Sequence, residues 1–172
     1  MSSSELRELY EQKTRALRRH PSLAQGRYRV SIKLLDTYAC EARRANRILR
    51  VDLPVEEGGS DTGPTPGDLM RASLGTCMAM GYRGWAARLG VEIADVEVEV
   101  TCEVDARGQL DIDDQVPIGW QRLIFDVRIK TDAPASDVRR VVTHADRLSP
   151  MLANLSPAVE RVHSLTIEPR TH

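Results

Sequence analysis

The N-terminal segment has apolar positions with the spacing of an amphipathic α-helix. Between Ser4 and about Arg19 they fall on one side of a helical projection: Leu6, Leu9, Tyr10, Ala16 and Leu17. The His20-Pro21 step ends this helix, because proline disfavours helical backbone in the residue before it. We predict a helix that docks on the rest of the chain or on a partner subunit, in an N-terminal extension covering residues 1–26.

Alternation between apolar and polar residues predicts β-strands with one buried face each. They lie at about residues 28–34, 49–53, 95–104 and 123–129, and a further strand is expected at 160–168. The strands occur in pairs rather than alternating one by one with helices. This order favours antiparallel sheets over a doubly wound parallel sheet.

A long helix lies between the second and third of these strands. The loop before it is rich in glycine, proline and small polar residues. Thr65 can cap the helix with Asp68 completing a capping box, and Pro66 suits the first helical position. We expect the helix to run to Leu89 and to end at Gly90. Its mostly apolar or small interior is typical of a buried central helix.

A second long helix follows the fourth strand. Ser136 is the predicted N-cap, the apolar spacing continues to Leu148, and Ser149-Pro150 interrupts the helix. Taken together, the order of helices and strands predicts an α+β fold. Residues 27–172 would form one domain behind the N-terminal extension.

Composition and charge exclude several classes of protein. The chain has 172 residues with 24 Lys+Arg and 25 Asp+Glu, so no basic excess points to nucleic acid. The aromatic content of 4% also argues against stacking on single-stranded nucleic acid. No apolar run approaches the ~20 residues that span a bilayer, and the polar N-terminus lacks the features of a secretory signal. We therefore expect a cytoplasmic protein that binds neither nucleic acid nor membrane.

Three cysteines and four histidines are the candidates for redox or metal chemistry. Cys40, Cys77 and Cys102 show neither a C-x-x-C spacing nor a zinc-ligand pattern, and the histidines are scattered. An odd number of cysteines also disfavours a disulfide framework, so a reducing compartment fits best. We expect no metal, flavin or nucleotide cofactor.

Two segments resemble the OsmC/Ohr-like family of organic hydroperoxide resistance proteins. Residues 63–90 read GPTPGDLMRASLGTCMAMGYRGWAARLG and are followed by VEIADVEVEV, as in the family's central helix and next strand. The later stretch ADRLSPMLANL resembles the family's second helix. The resemblance implies an intertwined homodimer with antiparallel sheets around the long buried helix, and two active sites at the subunit interface.

The resemblance also implies a reaction: the reduction of organic hydroperoxides by a reactive cysteine on the central helix, which is Cys77 here. In catalytic members a second cysteine before a proline on the later helix forms a disulfide with the first. An arginine and a glutamate near the first cysteine organise its thiolate, which is the species that attacks the O–O bond.

Two parts of this machinery are replaced in the chain. Gly67 stands at the glutamate position, and Ser149 stands at the position of the second cysteine. Asp68 is nine residues before Cys77, about 180° around the helix, so capping is its expected role. Since a serine cannot form the disulfide, turnover would need an external thiol reductant.

The cation that would hold Cys77 as a thiolate cannot come from its own helix. Arg71 and Arg83 lie about 120° to either side of Cys77 in the helical projection. Arg43 and Arg44, next to the predicted hairpin, are the candidate catalytic cations. The leading hypothesis is a one-cysteine thiol peroxidase.

The alternative is an OsmC-fold dimer that binds a small apolar ligand or a partner and has no catalytic activity. Free cysteines in buried helices and on the apolar faces of strands are commonly small apolar packing residues. That interpretation is open for Cys77 and is favoured for Cys102. A thiol hydrolase or transferase would need a histidine partner for Cys77, which the sequence does not show.

Overall fold

The computed structural model describes residues 1–155 and 157–170. The helices of this part are α1 (Ser3–Arg19), α2 (Pro66–Leu89), α3 (Ala106–Gln109), α4 (Ala135–Arg147) and α5 (Pro150–Ala153). The strands are β1 (Ser31–Leu34), β2 (Cys40–Arg44), β3 (Arg47–Val51), β4 (Asp95–Val104), β5 (Trp120–Lys130) and β6 (Glu160–Glu168). The chain divides into two compact units, one formed by Thr14–Met70 and the other by Met1–Lys13 with the chain from Arg71 onward.

The unit Thr14–Met70 contains an antiparallel meander in the order β1-β2-β3. Leu34 pairs with Cys40, and Arg44 pairs with Arg47 across a tight turn in which Ala45 has a φ of 52°. The sequence prediction did not include β2. Its residues, CEARR, lack the β-branched and aromatic side chains that are enriched in strands. Pairing on both edges therefore determines this strand more than its own composition does.

The predicted first strand is shorter than expected, and its apolar face is not buried. Tyr28, Val30, Ile32 and Leu34 have exposed fractions of 84%, 52%, 62% and 62%. The prediction that one face of the strand at residues 28–34 is buried is thus wrong for the single chain. Alternation identifies an apolar face but does not say what covers it.

The second unit contains a three-stranded sheet in the order β4-β5-β6. β4 and β5 pair antiparallel, whereas β6 joins β5 in parallel. The core lies between one face of this sheet and the helices α2, α4 and α5. Its largest fully buried side chains are Tyr82, Phe125, Met78, Leu123 and Ile129. The predicted α+β class with antiparallel sheets is confirmed, with the β5–β6 pair as a parallel exception.

Helix α2 begins and ends as its sequence predicts. Thr65 and Asp68 form the capping box, in which the Thr65 Oγ accepts from Asp68 N at 3.1 Å and an Asp68 carboxylate oxygen accepts from Thr65 N at 2.9 Å. At the other end Gly90 has a φ of 71°, and Val91 N donates to Ala86 O at 2.9 Å. This is the glycine C-cap that the sequence indicated.

Only one side of α2 is buried within the chain. Leu74, Met78 and Tyr82 are 2%, 1% and 0% exposed, whereas Met80 is 72% exposed. The prediction of a buried helix therefore holds for the side that faces the β4-β5-β6 sheet, because the apolar residues on the opposite side are not covered within the described chain.

Helices α1 and α4 differ little from their predicted bounds. α4 begins at Ala135 after Pro134, so the predicted cap at Ser136 is wrong by two positions. The N-terminal half of α1 packs on α2, where a Cβ at Gly84 would lie 2.8 Å from the Tyr10 Oη. Arg88 lies over the Tyr10 ring at 5.5 Å, which adds a cation–π contact. The division of the chain at residues 26 and 27 stays a prediction.

Candidate functional site

The side chains of Cys77 and Ser149 meet between α2 and the start of α5. The Cys77 Sγ and the Ser149 Oγ are 3.5 Å apart, although the two residues are separated by 72 positions in the chain. Cys77 is half-buried, and Ser149 is only 7% exposed. The fold thus places Cys77 beside Ser149, the residue that stands at the position of the family's second cysteine.

The backbone around Ser149 fixes the position of its hydroxyl. Ser149 N donates to Asp146 O at 3.2 Å at the end of α4. The Ser149 Oγ accepts from Leu152 N at 3.3 Å, so the serine is the N-cap of α5. The conformation follows from local sequence, because serine is a preferred N-cap and Pro150 suits the first position of a helix.

Two further contacts hold the α4–α5 corner on α2. One turn before Cys77, the Ser73 hydroxyl donates to the Met151 Sδ at 3.0 Å. At the other side, the Tyr82 hydroxyl donates to an Asp146 carboxylate oxygen at 2.8 Å. The Cys77–Ser149 contact therefore lies between two other contacts that join the same elements.

Tyr82, Asp146 and His163 form a polar group beside the core. The second Asp146 oxygen lies 3.8 Å from the His163 Nδ1, and the His163 ring lies against Phe125 with centroids 4.8 Å apart. Burial raises the pKa of Asp146, while the bond from Tyr82 and the charge of His163 act against that rise. Burial and the nearby Asp146 carboxylate raise the pKa of Tyr82 as well, so its hydroxyl stays protonated and donates.

Sequence reasoning missed this polar group, although a signal for it was present. Leu74, Met78 and Tyr82 recur every four residues on the buried side of α2. A tyrosine in such a series needs a buried partner for its hydroxyl. The sequence could have indicated that an acceptor exists, but it did not identify Asp146, which lies 64 positions away.

The arginines of α2 contact groups other than Cys77. Arg71 donates to the Cys102 Sγ at 3.1 Å, and Arg83 donates to Ile93 O. Within residues 1–155 and 157–170, Ser149 provides the only side chain in hydrogen-bond contact with the Cys77 sulfur. The expectation that Arg71 and Arg83 point away from Cys77 agrees with these contacts.

Cys102 was expected to be an apolar packing residue, and its environment is more polar than that. It is half-buried on the face of β4 that packs against the core, and the Arg71 guanidinium approaches its sulfur. The polar partner was not predictable from β4 alone, because Arg71 lies 31 positions earlier in the chain.

The two candidate cations of the sequence analysis lie in β2, in the unit Thr14–Met70. Arg43 forms an ion pair with Glu41 on its own strand, and Arg44 is exposed beside the turn to β3. Cys77 belongs to the other unit. The catalytic roles of Arg43 and Arg44 stay predictions.

The loop before α2 is organised by a buried carboxylate that the sequence analysis did not single out. Asp52 is 1% exposed and accepts from Leu53 N, Ser60 N, Thr62 N and the Thr62 hydroxyl, the last at 2.7 Å. The Thr62 hydrogen bond is the main cause that holds the pKa of Asp52 below its ordinary value. The Asp52 carboxylate thus binds the backbone at Leu53 on one side of the Gly-rich segment and at Ser60 and Thr62 on the other.

An open groove of about 550 Å³ lies beside α2 on the side away from the core. Its lining includes Leu6, Tyr10, Met80, Arg83 and Val96. Its walls are mainly apolar, and Arg83 adds a cationic side chain. Such a groove has the size of a site for a small ligand.

The described residues contain neither a metal-binding cluster nor a membrane-spanning helix. No group of three or more His, Cys, Asp or Glu side chains is arranged to hold a metal ion there. Among the same residues, no helix is both long and apolar enough to cross a membrane.

Comparison with solved structures finds the same fold at low sequence identity. An OsmC-like protein from Mycoplasma pneumoniae has a TM-score of 0.73 at 12% identity, covering 84% of this chain and 99% of that one. An organic hydroperoxide resistance protein OsmC from Legionella pneumophila has a TM-score of 0.60 at 16% identity, covering 83% and 99%. A putative organic hydroperoxide resistance protein from Vibrio cholerae, with captopril bound in one of its active sites, has a TM-score of 0.59 at 17% identity, covering 83% and 93%.

Sequence comparison gives the family. No curated protein sequence matches the chain significantly. The family model described as OsmC-like protein matches residues 58–162, which is more than half of the chain and includes both Cys77 and Ser149. The chain belongs to the OsmC-like protein family.

Proposed function

We propose that the protein is a one-cysteine thiol peroxidase that reduces organic hydroperoxides. The observation that carries this proposal is the 3.5 Å contact between the Cys77 Sγ and the Ser149 Oγ. The family resemblance assigns the two redox cysteines to these positions, so Cys77 would be the nucleophile and Ser149 stands at the position of the second cysteine. The chain lacks the second sulfur, and Gly67 replaces the family's glutamate.

The reaction would proceed in two steps. The Cys77 thiolate attacks one oxygen of the hydroperoxide, the O–O bond breaks, and the departing alkoxide takes a proton to leave as an alcohol. Cys77 is then a sulfenic acid. One thiol of an external dithiol attacks this sulfur and water leaves, and the second thiol then breaks the mixed disulfide and restores Cys77.

The proposal includes a homodimer that completes the site. The apolar side chains of β1 are exposed in the single chain, which is the face that a second subunit would cover. Arg43 or Arg44 would supply the cation for Cys77 in the assembled protein. A cytoplasmic location would keep the three free cysteines reduced.

Trapping of the oxidised cysteine tests the chemistry directly. Purified protein is treated with cumene hydroperoxide in the presence of dimedone, and the modified peptides are identified by mass spectrometry. We expect an adduct on Cys77 and none at that peptide in a Cys77→Ser variant. An unmodified Cys77 at excess hydroperoxide would eliminate the peroxidase proposal.

A second candidate function is a dimer without catalytic activity that binds a small apolar ligand. The absence of a cation on Cys77 within the described residues and the groove beside α2 favour it. It predicts that restoring both replaced positions, Gly67→Glu with Ser149→Cys, creates hydroperoxide reductase activity that the wild type lacks. Equal dithiol-dependent rates for the two proteins would argue for the first candidate.

A further inference from the structure

We propose that the Ser149 hydroxyl donates a hydrogen bond to the Cys77 sulfur and stabilises its thiolate, so that Ser149 is a catalytic residue. Ser149 would then have a catalytic role of its own, in addition to replacing the second cysteine. Its catalytic meaning rests on the proposed peroxidase function, whereas the hydrogen bond itself does not.

The direction of this bond follows from the number of protons available. A serine hydroxyl has one proton to donate and two lone pairs with which to accept. Leu152 N occupies a lone pair, since a backbone N–H can only donate. Among the described residues, the Cys77 sulfur is the other hydrogen-bonding neighbour of the Ser149 Oγ, at 3.5 Å. An ionised sulfur can only accept, so the hydroxyl proton points toward Cys77 in the thiolate form.

The hydroxyl is held in place before any substrate arrives. Ser149 is 7% exposed, and its backbone and side chain are both fixed by hydrogen bonds to Asp146 and Leu152. The Ser73–Met151 contact and the Tyr82–Asp146 contact fix the same corner on α2. A donor that is already oriented stabilises charge in the reactive state without the cost of reordering.

The chemistry of the hydroxyl also suits a one-cysteine cycle. A thiol at this position would attack the Cys77 sulfenic acid and form an internal disulfide. A hydroxyl does not do so under these conditions, and it can donate in the same way to the oxygen of the sulfenate. The site would therefore keep the oxidised sulfur accessible to the external dithiol.

The rate of Cys77 alkylation as a function of pH tests the hydrogen bond. The experiment uses the Cys40→Ser/Cys102→Ser background, so that iodoacetamide reports on Cys77 alone. We expect Ser149→Ala to move the midpoint of the rate profile upward by about one pH unit, which corresponds to a roughly tenfold lower thiolate fraction below the midpoint. Ser149→Thr keeps a hydroxyl and should restore most of the wild-type midpoint.

A structural control distinguishes the loss of the hydrogen-bond donor from a general loss of stability. Leu152→Ala removes a buried side chain from α5 and leaves the Ser149 hydroxyl intact. It should lower the melting temperature without moving the alkylation midpoint. Identical midpoints for serine and alanine at position 149, or a shift of the same size with Leu152→Ala, would overturn the inference.

Failure of the inference and failure of the proposed function can be told apart. A shifted midpoint without a dimedone adduct would support the hydrogen bond and contradict the proposed peroxidase activity. A dimedone adduct with an unshifted midpoint would support the peroxidase activity and contradict the proposed catalytic role of Ser149.

Discussion

At the scale of single residues, the polar contacts of α2 connect it to distant parts of the chain. Tyr82 is fully buried, yet its hydroxyl reaches Asp146, and Arg71 reaches the sulfur of Cys102. A buried polar group without a partner costs more than its hydrogen bond contributes. The tyrosine and the carboxylate are therefore expected to stabilise the fold as a pair.

Removal of the Tyr82 hydroxyl is expected to destabilise the protein. Tyr82→Phe keeps the ring and leaves the half-buried Asp146 carboxylate without its Tyr82 donor, with His163 3.8 Å away. Since hydrogen bonds to charged groups contribute about 1.5–3 kcal/mol, we expect a loss of roughly 2 kcal/mol in the free energy of unfolding. Urea denaturation measures this value.

The same substitution at an exposed tyrosine provides the control. Tyr38 is 48% exposed, so Tyr38→Phe should change the free energy of unfolding by less than about 0.5 kcal/mol. Equal losses in the two variants would contradict a specific role for the Tyr82–Asp146 bond.

At the scale of elements, short-range signals position α2 and the loop in front of it. The capping box of Thr65 and Asp68 starts the helix, and the Asp52 carboxylate closes the loop by accepting hydrogen bonds from Ser60 and Thr62. Each carboxylate accepts from groups within ten positions of itself in the chain. The loop should therefore respond to the ionisation of Asp52.

Low pH is expected to open this loop. The pKa of Asp52 is lower in the folded state than in the unfolded state, so its contribution is present above about pH 4 and is lost as pH falls through the folded value. Hydrogen exchange of the Ser60 and Thr62 amides should show their protection decreasing in acid. In Asp52→Asn the protection should already be low at neutral pH and should change little with pH.

Asp61 offers a matched control for this experiment. It is exposed and has a φ of 52°, a conformation that asparagine tolerates well. Asp61→Asn should keep the wild-type protection and its acid response. Wild-type protection in Asp52→Asn would show that another group closes the loop.

At the scale of the whole molecule, the single chain leaves apolar surfaces exposed on β1 and on α2. Ile32 is 62% exposed and Met80 is 72% exposed. Contiguous exposed apolar surface is typical of interaction sites. The proposed homodimer would cover the apolar face of β1.

A charge on the apolar face of β1 should weaken the proposed dimer. We expect wild-type protein to sediment as a dimer and Ile32→Lys to sediment mainly as a monomer at the same concentration, because a buried unpaired charge opposes association. Lys33→Glu changes the charge of the neighbouring residue, whose side chain points to the opposite face of the strand. It should leave the dimer intact, and a wild-type monomer would remove the proposed assembly.

The sequence by itself determined the elements whose signals are local. Thr65 and Gly90 set the ends of α2 because their side chains or backbone act on groups within one helical turn, and β6 has the predicted bounds Glu160–Glu168. The motif around Cys77 also identified the family that the sequence comparison confirms.

Only the tertiary structure decided which distant residues meet. β2 is a strand because it pairs on both edges, and Ser149 lies beside Cys77 because the α4–α5 corner packs on α2. Contacts between residues so far apart in the chain depend on how whole elements pack. A local pattern of side chains does not encode this packing. For the same reason, alternation predicted the apolar face of β1 without showing whether this chain or a second one covers it.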